Sequence, residues 1–172
     1  MSAQPPYPPP YPEANQPPAG PVAGSVLERF VARFIDGLIV VIPVAIVMGI
    51  VLAVLGLWDN LLGTLLYMVL IGVAYFAYYV HFETSRGATI GKQVMKLRTV
   101  GAAGGNPTTE EVLKRNIFNA TYFVGWVPIL GILANLAAFV GMIAIAVTIS
   151  SDPLGRGWHD KFAGGTRVIK VG

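Results

Sequence analysis

Two arginines and an aspartate near the amino-terminal end have the spacing of one charged helix face. Arg29, Arg33 and Asp36 are four and three residues apart in the string R-F-V-A-R-F-I-D, and residues at these spacings are neighbours on a helix. Asp36 is followed by apolar residues, so its carboxylate lies inside a hydrophobic segment, where an unpaired charge is costly. We expect Asp36 to face other helices and to meet a cation, either in a cation- or proton-binding site or in a structural ion pair.

A second charged group lies close to the carboxyl end. Arg156, His159 and Asp160 occur in the string G-R-G-W-H-D-K-F-A-G-G-T. No serine nucleophile stands beside them to complete a triad, and an adjacent His and Asp lack the spacing and the ligand number of a zinc site. We therefore predict no catalytic residue and no metal site, and expect Asp160 to return along the membrane to Arg29 or Arg33.

The polar stretch between these two groups contains a glycine-rich string that ends in Lys92. The string G-A-T-I-G-K-Q is one residue shorter than the phosphate-loop pattern, and Gln93 replaces the required Ser or Thr. We therefore reject nucleotide binding. The glycines are expected to form a turn into a strand, V-M-K-L-R-T-V, residues 94–100.

Three long segments without Lys, Arg, Asp or Glu must position these groups: 37–58, 60–82 and 116–151. About 20 apolar residues suffice for a helix to cross the hydrocarbon of a bilayer. Only 12% of the residues are charged, whereas soluble domains average about 25%. The composition predicts an all-α integral membrane protein.

We predict a four-helix transmembrane bundle with helices at about 26–57, 61–82, 109–126 and 132–149. A single helix over the last uncharged segment would be about 54 Å long at 1.5 Å per residue, which is nearly twice the hydrocarbon thickness. We therefore divide that segment by a turn at Val127–Gly131. Because the third helix is short, a re-entrant hairpin is the alternative.

Capping boxes mark two of these helix starts. Ser25 with Glu28, and Thr108 with Glu111, fit the S/T-x-x-E pattern in which two side chains satisfy orphan backbone donors. A small cytoplasmic element is also expected, in which V-M-K-L-R-T-V pairs with T-R-V-I-K-V near the carboxyl end.

The distribution of basic residues predicts the orientation. The start of the first helix, the loop 83–108 and the tail 150–172 are basic, whereas the turn at Asp59 is acidic. Because Lys and Arg gather on the cytoplasmic side, the chain is expected in the cytoplasmic (inner) membrane with both termini inside.

Residues 1–24 differ in composition from the membrane domain, 25–172. They are rich in proline and lack the basic start and apolar core of a secretory signal. Such a segment is predicted to be disordered with polyproline II character. It is either a solvated tail or a docking strip for a cytoplasmic partner.

Four strings in this order resemble the RDD family of prokaryotic multi-pass membrane proteins: R-x-x-A-x-x-I-D, G-x-T-x-G-K with L-R-x-V, Arg115 at the start of a hydrophobic stretch, and R-G-x-H-D-x-x-A-G-T. The resemblance covers about 27–171. The family is named for an Arg and two Asp, which match Arg29, Asp36 and Asp160. The string A-G-G-T departs from the family's A-G-T. The resemblance implies a cytoplasmic-membrane protein with a suggested role in transport.

Two functions remain open. In the first, the chain is an ion, proton or small-solute transporter in which Asp36 binds the ion, Arg29 tunes its charge state and Asp160 competes for the same arginine. In the second, it is a non-catalytic accessory or scaffold subunit that recruits partners through its proline-rich tail. The expected supporting residues are Arg33, Lys92, Arg115, Arg156 and His159.

We expect no enzymatic activity and no cofactor. The expected surroundings are the lipid bilayer and either further copies of the chain or a larger membrane complex. Nucleic acid is not an expected partner, because no aromatic–basic interleaving accompanies the net charge of +3.

Overall fold

The computed structural model describes residues 20–125 and 127–172. In chain order the elements are α1 (Val26–Leu55), α2 (Leu61–Arg86), α3 (Ile90–Val94), β1 (Leu97–Val100), α4 (Thr109–Arg115), a 3₁₀ helix (Ile117–Ala120), α5 (Thr121–Val124), α6 (Pro128–Ser151), α7 (Trp158–Phe162) and β2 (Arg167–Lys170). For residues 1–19 of the proline-rich tail, 1–24, the predictions lie outside the described residues.

Three helices are long and apolar enough to cross a membrane. They are α1, α2 and α6, with mean hydropathy of 3.2, 1.9 and 2.4 in their most apolar windows. Their apolar side chains are mostly exposed, as lipid-facing residues are, because a bilayer rather than protein covers them. A mostly helical membrane protein is therefore confirmed, but only three of the four predicted helices are continuous.

The ends of α1 and α2 follow from their caps. Ser25 and Glu28 form the predicted capping box at the start of α1. The helix ends two residues before the predicted residue 57, because Gly56 turns into the left-handed region with φ 63°. In contrast, α2 continues four residues past the predicted residue 82 and ends where Gly87 adopts φ 69°. It continues because its charged residue Glu83 is buried among cations.

The predicted third helix, 109–126, is wrong as a continuous element. It begins at Thr109 with the predicted capping box, but it is divided into α4, a 3₁₀ turn and α5. At the break, Asn116 donates its side-chain N–H to the Val112 carbonyl at 2.9 Å, and Asn side chains that compete for backbone groups weaken helices. The segment packs against α2, where Val112 joins the core of Tyr75 and Tyr79.

The start of α6 also differs from the prediction. It begins at Pro128 instead of residue 132, with the proline in the first turn, where its missing N–H costs nothing. The turn predicted at Val127–Gly131 therefore lies almost entirely within the first turn of this helix. Helix α6 can begin this early because Gly131 approaches Gly125 closely. A Cβ on Gly131 would lie 2.4 Å from the Gly125 carbonyl oxygen.

A small two-stranded sheet joins three distant parts of the chain. Strands β1 and β2 are antiparallel, with Leu97 opposite Lys170, as the two short motifs predicted. Gly24 donates its backbone N–H to the Val168 carbonyl at 3.0 Å, which attaches the start of α1. The predicted strand 94–100 is shorter, and its first residue belongs to α3, because Thr89 caps a helix there instead of a turn.

Candidate functional site

Asp160 lies at the centre of a buried ion network. Its Oδ2 is 3.1 Å from Arg29 Nη1, and its Oδ1 is 3.0 Å from Arg115 Nε. The backbone N–H of Gly157 also donates to this carboxylate, so Asp160 caps its own short helix. Burial raises the pKa of Asp160, but Arg115 and Arg29 outweigh burial and hold the pKa below its usual value. The carboxylate is therefore charged and joins α1 to α7.

The network continues from Arg115 to Glu83 and Lys92. Arg115 Nη1 lies 3.4 Å from Glu83 Oε2, and Lys92 Nζ forms an ion pair with the other oxygen of the same carboxylate. Lys92 also donates to Thr99 Oγ1 at 2.8 Å. Burial lowers the pKa of Lys92 to about 8, against the opposing attraction of Glu83. Burial would also lower the pKa of Arg115, but Asp160 and Glu83 raise it above its usual value.

Asp36 belongs to a different arrangement. Its carboxylate accepts hydrogen bonds from Tyr78 Oη at 2.6 Å, Thr89 Oγ1 at 2.7 Å and the Gly91 backbone N–H at 2.7 Å, with Tyr79 Oη at 3.4 Å. Among the described residues, no Lys, Arg or His nitrogen forms an ion pair with it. The expected structural ion pair of Asp36 is thus wrong for the described residues, because neutral donors of α2 and α3 contact the carboxylate instead. A cation- or proton-binding role of Asp36 stays a prediction.

Arg33 is held without a carboxylate partner among the residues that the structure describes. Its guanidinium donates to Asn116 Oδ1 at 2.7 Å and to Asn119 Oδ1 at 2.8 Å. It also lies over two aromatic rings, 4.4 Å from the ring centroid of Tyr79 and 4.6 Å from that of Phe118. These contacts hold the cation in place without an ion pair.

The sequence profile of the RDD family matches residues 23–164 of this chain. The chain belongs to the RDD family. No curated protein and no solved structure matches it. Of the three residues that the sequence assigned to the family name, Arg29 and Asp160 are in contact, whereas Asp36 lies in the separate arrangement with α2 and α3.

His159 lies beside this RDD network without a full set of partners. Its Nε2 is 3.7 Å from Asp160 Oδ1, and its buried Nδ1 has no hydrogen-bond partner among the described residues. Burial lowers the pKa of His159 to about 3, although the Asp160 carboxylate opposes this. The imidazole is therefore neutral at pH 7.

Arg156, predicted as a supporting residue, lies outside the network. Its Nε is 3.2 Å from Asp152 Oδ1, and Lys161 Nζ is 2.8 Å from Oδ2 of the same carboxylate. These residues form a local turn after α6, where Asp152 also accepts from the Arg156 backbone N–H. The structure thus brings Arg29, Arg115 and Asp160 together but leaves Arg156 apart.

A cavity of about 170 Å³ opens beside the network, and we refer to it as the charged cavity. One side carries ionisable groups of α1 to α4 and α7: Arg29, Arg33, Asp36, Glu83, Lys92, Arg115 and His159. The other side is apolar and comes mainly from α1 and α6: Val26, Phe30, Met142, Ile145, Ala146 and Ile149. The charged cavity is the candidate site for a ligand.

The sequence reasoning missed several residues of this site. Glu83, Tyr78 and Thr89 were not among the predicted site residues, yet each is within hydrogen-bond or ion-pair distance of Asp36, Lys92 or Arg115. A usable signal was the four-residue spacing of Tyr75, Tyr79 and Glu83, which places them on one face of α2.

Metal binding finds no support in the described parts of the chain, where no group of three His, Asp or Glu residues has a suitable arrangement. The carboxylates of Asp36, Glu83 and Asp160 are each occupied by donors or cations of the chain itself. That the protein needs no cofactor stays a prediction.

Proposed function

We propose that this RDD protein moves an ion or a small charged solute across the cytoplasmic membrane and that the charged cavity is its binding site. The observation that carries the proposal is the collection of ionisable side chains from separate elements around one cavity. Ionisable groups within membrane proteins are costly and tend to face cavities that serve substrates.

Within this proposal, Arg33 is the residue best placed to bind the solute. Asp36 was the binding group suggested by the sequence, but its carboxylate already accepts four hydrogen bonds from neutral donors. Arg33 has amide and aromatic neighbours and no carboxylate among the described residues. We therefore assign Asp36 the task of fixing α3 against α1, and Arg33 that of attracting a negative group.

The proposed orientation places the charged cavity at the cytoplasmic side. Arg29 and Arg33 lie in the first turns of α1, and Ile149 lies near the end of α6. The excess of Lys and Arg at these ends favours the cytoplasmic side, with both termini inside. A solute would then enter the charged cavity from the inner leaflet or the cytoplasm.

Flux into proteoliposomes tests this proposal. Purified protein is reconstituted with an entrapped pH dye and an entrapped chloride dye, and salt gradients of different anions and cations are imposed. We expect an ion-dependent signal that falls by about tenfold in Arg33→Gln, a change of about 1.4 kcal/mol in binding. Arg156→Gln is the matched control, because its side chain lies outside the charged cavity.

No signal from correctly folded protein, or an equal signal from Arg33→Gln, would contradict the transport proposal. Folding of each variant is checked by its elution volume in detergent and by circular dichroism. A signal that is lost equally in Arg156→Gln would place the site elsewhere.

A second candidate function, an accessory or scaffold subunit, is favoured by a different observation. Asp36 and Asp160 find all their partners within the chain itself, so these groups can act purely as a structural lock. Pull-down with the full chain and with residues 1–19 deleted tests it, because this deletion keeps the contacts of Val22 and Gly24 with β2. A cytoplasmic partner lost with the deletion would support the scaffold role, whereas an unchanged set of partners would argue against recruitment by the tail.

A further inference from the structure

The charges around the charged cavity do not balance. Four cations, Arg29, Arg33, Lys92 and Arg115, line it. Three carboxylates lie nearby: Glu83 and Asp160 in the ion network, and Asp36 in the separate arrangement with α2 and α3. His159 is neutral. One positive charge is thus left over, and it resides at Arg33, which has no carboxylate within ion-pair distance in the described chain. Arg33 is half-buried, and removing a charge from water is costly unless an opposite charge compensates for it, so a counter-ion at this position is favourable.

One polar atom at this place also lacks a partner. Within the described chain, His159 Nδ1 is buried without a hydrogen bond. His159 lines the charged cavity and is 9% exposed. Buried polar atoms in folded proteins nearly always have a partner. In the tautomer that carries its proton on Nδ1, His159 can donate to an acceptor oxygen of a ligand.

The remaining lining of the cavity is apolar and reaches the lipid-facing surface. Phe30 on α1 and Met142 on α6 line it and are 64% and 51% exposed. Both helices are candidate membrane spans, so the surroundings of these two side chains are acyl chains. A ligand can reach the arginines from the side, between α1 and α6.

The volume decides how much of a ligand fits. A cavity of about 170 Å³ is close to the roughly 150 Å³ that accommodates benzene and far below the roughly 300–1,000 Å³ of sites for drug-sized molecules. It can therefore hold a phosphate group but not a whole amphiphile. The rest of such a molecule must lie outside, along the apolar faces of α1 and α6.

We infer that the charged cavity binds the phosphate of an anionic phospholipid, with Arg33 as the principal contact and the acyl chains along α1 and α6. A single negative charge matches the single excess positive charge. The depth is also suitable, because the cavity lies at the ends of the spans, where lipid headgroups are found. This inference takes from the proposed function only that the charged cavity is a ligand site.

Native mass spectrometry of the full chain in a mild non-ionic detergent tests the inference. The protein is titrated with phosphatidylglycerol, with phosphatidylcholine and with inorganic phosphate. We expect one phosphatidylglycerol per chain, at least about tenfold tighter than phosphatidylcholine, and no displacement by millimolar phosphate. Arg33→Gln should lose about tenfold in affinity, and Arg156→Gln should bind as the native chain does.

A second variant removes space instead of charge. Ala146 lines the charged cavity from α6, and Ala146→Leu should weaken lipid binding while all the charges remain. If folded Arg33→Gln and Ala146→Leu bind phosphatidylglycerol as tightly as the native chain does, the inference is overturned. Complete displacement by inorganic phosphate would also overturn it, by identifying a free anion as the ligand.

Flux and lipid binding are measured on the same preparations so that the two proposals can fail separately. Lipid binding without ion flux would support the lipid site and contradict ion transport. Ion flux without selective phosphatidylglycerol binding would contradict the lipid site and leave the proposed function standing.

Discussion

Asp36 and Asp160, the two aspartates that the sequence assigned to the family name, differ in the chemistry that stabilises them. Asp160 is charged between two arginines, whereas Asp36 is held by hydroxyl groups and a backbone N–H. Ion pairs with arginine fix a relative position by strong attraction, and hydrogen bonds to neutral donors fix it by geometry. Asp160 therefore joins distant parts of the chain, and Asp36 positions one short helix, α3.

His159 makes the protein sensitive to mild acid. Burial lowers its pKa in the folded protein to about 3, whereas an unfolded histidine has a pKa of about 6.5. Between these values the unfolded chain binds more protons, so stability falls as the pH falls from about 6.5 towards 3. The carboxylate Asp160, whose pKa is lowered, loses its stabilising charge only below about 4.

We predict that lowering the pH from 7 to 5 reduces the free energy of unfolding by about 2 kcal/mol through His159 alone. The expected consequence for His159→Gln is a smaller loss over the same interval. The measurement is unfolding in mixed micelles of mild detergent and dodecyl sulfate at the two pH values. His81→Gln serves as the matched control, since His81 is exposed. An identical pH dependence in native protein and His159→Gln would contradict this assignment.

At the scale of elements, the docking of α3 on α1 requires a glycine. A Cβ on Gly91 would lie 2.1 Å from the Ala32 carbonyl oxygen and 2.8 Å from Asp36 Oδ1. Neither atom is the end of a flexible side chain that could move away freely. The backbone of α3 therefore approaches α1 closely enough for the Gly91 N–H to reach the Asp36 carboxylate.

Replacing Gly91 should separate α3 from α1. We predict that Gly91→Ala lowers the free energy of unfolding by about 1–3 kcal/mol, the usual cost of overpacking. Gly105→Ala is the control, because nothing lies within 4 Å of its added Cβ, and a change below about 0.5 kcal/mol is expected there. Equal stability of the two variants in the same micelle assay would argue against close α1–α3 packing.

The sequence predicted those elements that depend on local chemistry. The capping boxes at Ser25 and Thr108 are present because both partners of each box lie within four residues. The break at Asn116 was not predicted, because Arg33 holds its side-chain oxygen from another helix. The extension of α2 was missed for a similar reason: Glu83 was taken as a membrane boundary, but Lys92 and Arg115 allow its burial.

The candidate site was predictable only in part. The sequence predicted that Asp160 returns along the membrane to Arg29 or Arg33, and the structure places it against Arg29. An ion pair of Asp36 with a residue of the described chain was wrongly predicted, because hydroxyl donors such as Tyr78 carry no charge and are not visible in charge patterns. The charged cavity depends on the packing of α6 beside α1, which spacing within one segment does not describe.

For the whole molecule, Arg29 is the point at which the chain ends meet. Besides the ion pair with Asp160, its guanidinium donates to the carbonyls of Gly24, Gly155 and Val168, at 3.0, 2.6 and 3.2 Å. One side chain thus connects the start of α1, the turn before α7 and strand β2. Because Arg29 and residues 155–168 are separated by most of the sequence, these contacts bring the two ends of the membrane domain together.

The energetic coupling between Arg29 and Asp160 tests this account most directly. A double-mutant cycle of Arg29→Gln and Asp160→Asn is measured by unfolding in mixed micelles, with Arg156→Gln, at a half-buried position outside the network, as a control. We predict that Asp160→Asn costs about 3–5 kcal/mol, because it leaves the Arg29 charge without a carboxylate. Arg29→Gln should cost less, because Arg115 still pairs with Asp160, and the two changes should be coupled by about 1–3 kcal/mol. Additive effects within about 0.5 kcal/mol would show that the two chain ends are not held together by this ion pair.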